Sequence, residues 1–213
     1  MKKAYFFDFD GTLVDSIPLL VRVTRKQLTD HGITPPPPDE LLATIIPIGY
    51  LNAAKYLVSL GILKTPEEVL GDLYRGVIEG YLNDVEAKPH AADALAHLAE
   101  QGYDLYVLTA GAPVVVSPCL ERLGIRSYFK DLLFTDSFDL TKKDPAIYRA
   151  AAARVGIAVR DGTFVDDNAE NIAAAREAGM TTIGVYDEGS AYGWADMQQN
   201  AHRTIRDFAE LIE

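Results

Sequence analysis

Two aspartates, Asp8 and Asp10, follow the first apolar run of the chain at residues 5–7. Such a run is typical of a strand that is buried on both faces of a parallel sheet, so the carboxylates lie at its carboxyl end. Because they are two residues apart in extended backbone, they leave the strand tip towards the same side, and Gly11 then permits a tight turn and the close approach of a ligand. Two like charges held this close raise each other's pKa unless a cation or a proton separates them. The turn therefore predicts a metal site or an acid/base pair.

Further polar side chains stand at the ends of later predicted elements. They are Thr109 with Ala110 and Gly111 after a strand at residues 103–108, Lys142 and Lys143 before a helix, and Asp166 and Asp167 after a strand at residues 163–165. Singly, each position has an ordinary explanation as a turn, a solvated lysine or a helix start. Together they fall where the strands of an open parallel sheet end, which is where such sheets bind ligands. We expect them to form one site with Asp8 and Asp10, to which one of the two lysines brings a cation.

The second part of the chain alternates strands and helices. Strands are predicted at residues 5–7, 103–108, 132–134, 163–165 and 181–185, with helices at about 89–101, 113–124, 144–156 and 168–179 and a last helix from about Ile205. Proline or a capping residue opens several of these helices, and glycine ends them. The alternation predicts an α/β fold, namely a Rossmann-like parallel sheet with helices on both faces.

Residues 16–86 contain helical patterns and no strand signal. Ser16 is suited to cap a first helix, and the four prolines at residues 35–38 predict an extended, non-helical spacer. A second helix opens at Asp39 and is interrupted at Pro47 and Gly49. A third helix is predicted at about residues 50–60, and a fourth begins at the capping-box sequence TPEE of residues 65–68. We therefore predict a small all-helical domain, residues 16–86, inserted after the first strand of a core formed by residues 1–15 and 87–213.

The composition limits the kinds of partner. The chain has 213 residues, 48% of them hydrophobic, and a net charge of -11 from 20 basic and 31 acidic residues. It lacks a cluster of lysine or arginine that could neutralise a nucleic-acid backbone, so we expect a small-molecule substrate and no nucleic acid. Cys119 is the only cysteine, no apolar run approaches the length of a membrane span, and no signal-peptide pattern precedes the first strand. We expect a cytoplasmic protein without a membrane contact or an internal disulfide, and take the monomer as its default state.

Four segments together resemble the motifs of the haloacid dehalogenase-like hydrolases. They are DFDGTLVDS at residues 8–16, LTAG at residues 108–111, KKDPAIY at residues 142–148 and FVDDNAEN at residues 164–171. Their order and spacing fit that superfamily across nearly the whole core. The helical segment after the first motif resembles the small cap of the phosphoglycolate phosphatase and β-phosphoglucomutase branch. The chain departs from the usual motifs at three positions, with Ala110 in place of the asparagine of many phosphatases, Lys143 in place of a proline and Asn171 in place of the aspartate of some members.

The resemblance implies catalytic roles for four side chains. By it Asp8 is the nucleophile, Asp10 is the general acid/base, Thr109 contacts the phosphate and Lys142 neutralises charge. Phosphate monoesters hydrolyse slowly because a carboxylate and an anionic phosphoryl group repel each other, so cations must be brought to the site. The implied reaction is the hydrolysis of a small phosphorylated metabolite through an aspartyl phosphate on Asp8. Dehalogenase chemistry needs no second aspartate at this position, so Asp10 favours phosphoryl transfer.

The resemblance also implies a Mg²⁺ cofactor. The metal would be held by Asp8, Asp167 and the backbone carbonyl of Asp10, with Asp166 as a further ligand or as a support of the metal. Free backbone N–H groups are expected around Gly11 and Gly111 and would bind phosphoryl oxygens, so the substrate-binding candidates are Gly11, Ala110 and Gly111. Substrate choice is expected to depend on the helical domain, above all on polar residues of the segment 44–56, namely Thr44, Tyr50, Asn52, Lys55 and Tyr56.

Three other functions would use similar residues. A phosphomutase would return the phosphoryl group to a second sugar hydroxyl. A receiver domain, which is a non-enzymatic switch, also combines a phosphorylated aspartate with a threonine and a lysine, but its motifs follow another order and it has no helical insertion. A scaffold with an inactive site is disfavoured because all four polar groups are present, namely Asp8 with Asp10, Thr109, Lys142 or Lys143, and Asp166 with Asp167. A phosphatase therefore remains the first hypothesis.

Overall fold

The structure is a computed structural model that describes residues 3–45 and 49–212, and these fall into two compact units. The sheet unit contains the described residues up to Asp15 and from Glu86 onwards, and the helical unit contains those from Ser16 to Val85. The predicted domain boundary assigned Glu86 to the helices. In the structure its carbonyl oxygen accepts the N–H of Asp15 at 3.0 Å, which ties it to the sheet unit.

The helical unit consists of four helices over its described residues. They are α1 (Ile17–Asp30), α2 (Pro38–Ile45), α3 (Gly49–Ser59) and α4 (Pro66–Asn83). The predicted capping box of α4 is confirmed, since Thr65 Oγ1 accepts the N–H of Glu68 at 3.3 Å and Glu68 Oε2 accepts the N–H of Thr65 at 2.8 Å. The prediction that Pro38 belongs to a non-helical spacer is wrong: it starts α2, where its missing N–H has no helical partner to lose. Of the break predicted at Pro47 and Gly49, Pro47 lies outside the described residues and Gly49 begins α3.

The sheet unit is built on six parallel strands. They are β1 (Ala4–Phe7), β2 (Asp104–Thr109), β3 (Phe129–Phe134), β4 (Gly162–Asp166), β5 (Thr181–Val185) and β6 (Arg203–Ile205), in the order β3-β2-β1-β4-β5-β6. Phe7 of the central strand β1 is paired with Val107 on one side and Val165 on the other. The chain builds outwards from β1 to β3 and then crosses to the other side of β1 with β4. The strand order thus reverses between β1 and β4, and open α/β sheets bind ligands at the carboxyl ends of the strands at such a switch point.

Helices and turns cover both faces of the sheet. The helices of this unit are α5 (Ala91–Glu100), α6 (Pro113–Arg122), α7 (Pro145–Arg154), α8 (Ala169–Ala178) and α9 (Trp194–Asn200). On one face Phe6 packs in a core with Tyr106 and Phe164 and with residues of α7, α8 and α9. On the other face the ring of Phe7 lies near those of Phe129 and Phe208. The predicted Rossmann-like fold is therefore confirmed.

The C-terminal region differs from its prediction. Ile205, which was expected to start a helix, ends strand β6 and pairs with Val185. Only a short 3-10 turn, Phe208–Leu211, follows, and the carboxylate of Asp207 caps it by accepting the N–H of Ala209 at 2.7 Å. A three-residue strand is too short to show an alternating pattern, so its sequence carries no period to recognise. Among residues 3–45 and 49–212, no helix combines the length and apolar character needed to span a bilayer.

Candidate active site

Three carboxylates meet at the junction of β1 and β4. Asp8 directly follows β1 and donates its backbone N–H to the carbonyl oxygen of Val165 at 2.9 Å, while Asp166 ends β4 and Asp167 follows it. Asp8, Asp166 and Asp167 each offer an oxygen, and these three oxygens lie within 4.8 Å of one another. A donor set made only of carboxylate oxygens suits a hard cation such as Mg²⁺. The residues present therefore fit the metal that the sequence predicts.

Lys142 joins this cluster from the segment before α7. Its Nζ lies 2.6 Å from Asp8 Oδ1 and 2.9 Å from Asp166 Oδ2, and its side chain is 10% exposed. The hydroxyl of Tyr148 in α7 donates to the carbonyl oxygen of Lys142 at 2.6 Å and so fixes the backbone that carries the lysine. The structure does not bring Lys143 to the carboxylates, because its exposed side chain pairs with Glu170.

Burial and like charge act together on these groups. Burial raises the pKa of Asp8 well above its usual range, the Lys142 ammonium lowers it, and the charges of Asp166 and Asp167 raise it again. Burial, followed by the charge of Asp166, raises the pKa of Asp167 to about 7, although a hydrogen bond from Ser190 lowers it. Burial lowers the pKa of Lys142, but the carboxylates of Asp166 and Asp8 outweigh it and hold this pKa above its ordinary value. The site thus sets three carboxylates against one ammonium, and a bound cation would relieve this excess of negative charge.

The turn after β1 is locked onto Asp167. Gly11 has φ of +73°, and a Cβ at this position would lie 2.8 Å from the Asp167 Cγ. The Thr12 hydroxyl donates to Asp167 Oδ1 at 3.1 Å and accepts the N–H of Asp167 at 3.0 Å. Thr12 was missed by the sequence analysis, although it stands inside the first motif as the only hydroxyl residue next to the glycine.

The tip of β2 lies beside Asp10. The Thr109 side chain is buried, and its hydroxyl accepts the N–H of Gly111 at 2.8 Å. A Cβ on Gly111 would lie in ordinary contact with Asp10 Oδ2, at 3.5 Å, but only 2.8 Å from Val116 Cγ2, so the position favours glycine, while Ala110 is exposed. The N–H groups of Gly11 and Gly111 themselves are not free. Gly11 donates to the Val14 carbonyl oxygen at 3.0 Å to close its turn, and the Gly111 N–H is taken by Thr109.

Asp166 is held by groups of the chain itself. The N–H of Asn168 donates to Asp166 Oδ1 at 2.7 Å, and the Asn171 amide nitrogen lies 3.1 Å from Oδ2 and 3.3 Å from Oδ1. Asn168 also caps α8, because its Oδ1 accepts the N–H groups of Glu170 and Asn171. Together with Lys142, these donors engage both oxygens of the carboxylate. Asn171, noted in the sequence only as a departure from a motif, thus contacts the acidic cluster directly.

A buried aspartate that is paired with a lysine, inside an oxygen-rich cluster at the switch point of a Rossmann-like sheet, is typical of phosphoryl-transfer and related hydrolases. Residues 2–179 match the model of the haloacid dehalogenase-like hydrolase family. The chain belongs to this family, and the predictions of the family and of an enzyme from it are confirmed.

Individual relatives agree in length and fold. A phosphoglycolate phosphatase of Haemophilus influenzae (strain 86-028NP) is 30% identical over 216 residues, which cover 97% of this chain and 95% of the relative. A phosphoglycolate phosphatase of Agrobacterium fabrum is 29% identical over 212 residues, which cover 96% and 88% of the two chains. The solved structure of a haloacid dehalogenase family hydrolase from Deinococcus radiodurans R1, with bound phosphate and sodium, has a TM-score of 0.81 at 22% identity and covers 99% of this chain and 93% of that one. This last likeness supports the fold.

Proposed function

We propose that this hydrolase is a Mg²⁺-dependent phosphatase that cleaves a small phosphate monoester through an aspartyl phosphate on Asp8. The observation that carries the proposal is the buried pair between Lys142 Nζ and Asp8 Oδ1, at 2.6 Å, inside the three-carboxylate cluster. A nucleophilic carboxylate needs such a fixed cation to approach an anionic phosphoryl group. The names of the phosphatase relatives support the same class of reaction.

The chain's own residues supply the two chemical steps. In the first, a carboxylate oxygen of Asp8 forms a bond to phosphorus while the ester oxygen leaves with its electron pair and takes a proton from the Asp10 carboxyl group. In the second, the Asp10 carboxylate takes a proton from water, whose oxygen attacks phosphorus and frees Asp8 and inorganic phosphate. Lys142 offsets the negative charge in both steps, and the Thr109 hydroxyl contacts a phosphoryl oxygen. Bound Mg²⁺ would supply Lewis-acid stabilisation of the phosphoryl charge.

We assign the metal to Asp8, Asp167 and the backbone carbonyl of Asp10. Asp166 is better suited to a supporting role, because Lys142, Asn168 and Asn171 already donate to its two oxygens. In that role Asp166 holds Lys142 at the position from which the ammonium contacts Asp8. Burial raises the pKa of Asp8 most, the Lys142 ammonium lowers it, and the charge of Asp166 raises it further. Full ionisation of the Asp8 carboxylate therefore depends on a bound cation.

The identity of the ester is a separate question from the chemistry of the phosphoryl group. The groups named above all address the phosphoryl group and the metal, so the choice of ester depends on other residues. We propose that the helical unit makes this choice through residues 44–56. Phosphoglycolate is the first substrate to test, because the relatives carry that name.

A release assay tests this function. The purified protein is incubated with phosphoglycolate, hexose phosphates and nucleotides, each with Mg²⁺, with Ca²⁺ and with a chelator, and inorganic phosphate is measured. We expect phosphate release that requires Mg²⁺ and is poorly supported by Ca²⁺, whose coordination is looser and higher in number. Full activity in the chelator, or conversion of a sugar phosphate to its isomer without phosphate release, would contradict the proposal.

A further inference from the structure

A buried ion pair joins the loop after β5 to the segment where the chain re-enters the sheet unit. The Asp187 side chain is 2% exposed, and its Oδ2 pairs with the Nζ of Lys88, whose side chain is 15% exposed. Lys88 Nζ also lies 3.9 Å from Asp15 Oδ1. Burying two charges costs free energy unless they are well paired, so the pair imposes a defined geometry on both segments.

Asp187 orders the turn that leads to the acidic cluster. Its Oδ1 accepts the N–H of Gly189 at 2.7 Å, and the hydroxyl of Ser190 lies 3.4 Å from its carbonyl oxygen. The Ser190 side chain also faces the Asp167 carboxylate and lowers its pKa. The loop therefore provides one support of Asp167.

Lys88 is also fixed to the turn that provides the other support. Its backbone N–H donates to the Leu13 carbonyl oxygen at 2.9 Å, and the neighbouring residues Val14 and Ala87 form an antiparallel bridge. Thr12, in the same turn, exchanges two hydrogen bonds with Asp167. Lys88 is therefore connected to both segments beside Asp167, to the Thr12 turn through its backbone N–H and to the Asp187 loop through its side chain.

We infer that Lys88 and Asp187 are positioning residues for Asp167, and that their ion pair sets the Mg²⁺ affinity of the site from outside the ligand set. The inference rests on the proposed function, in which Asp167 is a metal ligand. Removal of a residue that orients a metal ligand without contacting the metal typically weakens metal binding about 10- to 100-fold.

The direction in which the Mg²⁺ affinity changes when Lys88 is replaced distinguishes a positioning role from a purely electrostatic one. Lys88 is cationic, so its removal would strengthen Mg²⁺ binding if the lysine acted only through its electric field. If it acts by holding the Asp187 loop in place, its removal weakens binding.

The test is Mg²⁺ binding to the intact protein by isothermal titration calorimetry, with melting temperatures of the metal-free protein measured alongside. The variants are Lys88→Met and the double variant Lys88→Met/Asp187→Asn, which leaves no unpaired buried charge and so guards against a folding defect of the single variant. The matched control is Lys130→Met. Lys130 also pairs with a buried aspartate, Asp104, but Asp104 begins β2 and so lies at the opposite, amino end of the strands.

We expect the Mg²⁺ Kd to rise about tenfold in both Lys88 variants and to stay within about twofold of wild type in Lys130→Met. Unchanged or tighter binding by Lys88→Met, or wild-type affinity in the double variant, would overturn the inference while leaving the proposed function intact. A wild-type protein that bound no Mg²⁺ would contradict the proposed function and the inference with it.

Discussion

Lys142 offsets part of the negative charge that Asp8 and Asp166 bring together, and it does so from a buried position. Motif spacing pointed to Lys142 and not to its neighbour, and in the structure only Lys142 contacts the carboxylates. Lys143 is exposed and pairs with the exposed carboxylate of Glu170, an interaction that contributes little in water. The two lysines therefore form a matched pair of positions for mutation.

Lys142→Ala is expected to lower kcat at least about a hundredfold, because the carboxylates and the phosphoryl group would then face each other without the fixed cation. Lys143→Ala is expected to change kcat by less than about threefold. Steady-state phosphate release measures both variants, and circular dichroism checks that they are folded. Similar losses in the two variants, or the reverse ranking, would reassign the role.

Mg²⁺ should stabilise the protein more at high pH than at low pH. The pKa of Asp167 is raised to about 7, above its value in an unfolded chain, so the folded metal-free protein disfavours its carboxylate. The contribution of this group to the free energy of unfolding is therefore lost as the pH rises from about 4 to about 7. In the proposed function Mg²⁺ binds this carboxylate, so we expect its stabilising effect to grow over the same window. The measurement is the Mg²⁺-induced rise in Tm at about pH 5.5 and about pH 8, and an equal rise at both would contradict the account.

At the scale of elements, local pattern predicted the buried strands and the capped helices but not the links between them. β1 and β2 are apolar runs that end at polar residues, whereas the three residues of β6 show no period. The hydrogen bonds between Thr12 and Asp167 join positions 155 residues apart, and the ion pair of Lys88 with Asp187 joins positions 99 residues apart. Local sequence patterns do not indicate contacts between residues so far apart in the chain. The roles of the site residues were therefore inferred from the family resemblance.

Gly11→Ala is expected to weaken Mg²⁺ binding and catalysis, because its Cβ would meet the Asp167 carboxylate at 2.8 Å in a left-handed backbone conformation. Gly156→Ala is the matched control. Gly156 has a similar φ of +76°, but a Cβ there would meet no atom within 4 Å. Both variants should lose about 1–2 kcal/mol of stability from backbone strain, while only Gly11→Ala should change the Mg²⁺ Kd. Equal Mg²⁺ affinities in the two variants would show that the contact with Asp167 does not matter.

At the scale of the whole molecule, the proposed function assigns the chemistry to the sheet unit and the choice of substrate to the helical unit. Within segment 44–56, Thr44 donates to the Glu40 carbonyl oxygen and Tyr56 packs against a small core of Leu41, Ile45 and Ala53. Asn52 and Lys55 are exposed. These two side chains are the better candidates for a contact with the leaving group.

Asn52→Ala and Lys55→Ala are expected to change the rank order of substrates while the dependence on Mg²⁺ stays as in wild type. Lys26→Ala, at an exposed lysine of α1 outside the segment, is the control and should leave the ranking unchanged. The kcat/KM values across the panel of phosphate esters decide the matter. If every variant changed kcat/KM by the same factor for all substrates, the segment would have no role in substrate choice.

The most direct test of the account is acid-quench mass spectrometry of the intact protein during turnover, followed by peptide fragmentation. We expect a phosphoryl adduct on Asp8 in the wild type, accumulation of this adduct in Asp10→Asn, which lacks the base for hydrolysis, and no adduct in Asp8→Asn. An adduct on another residue, or substantial turnover by Asp8→Asn, would contradict it.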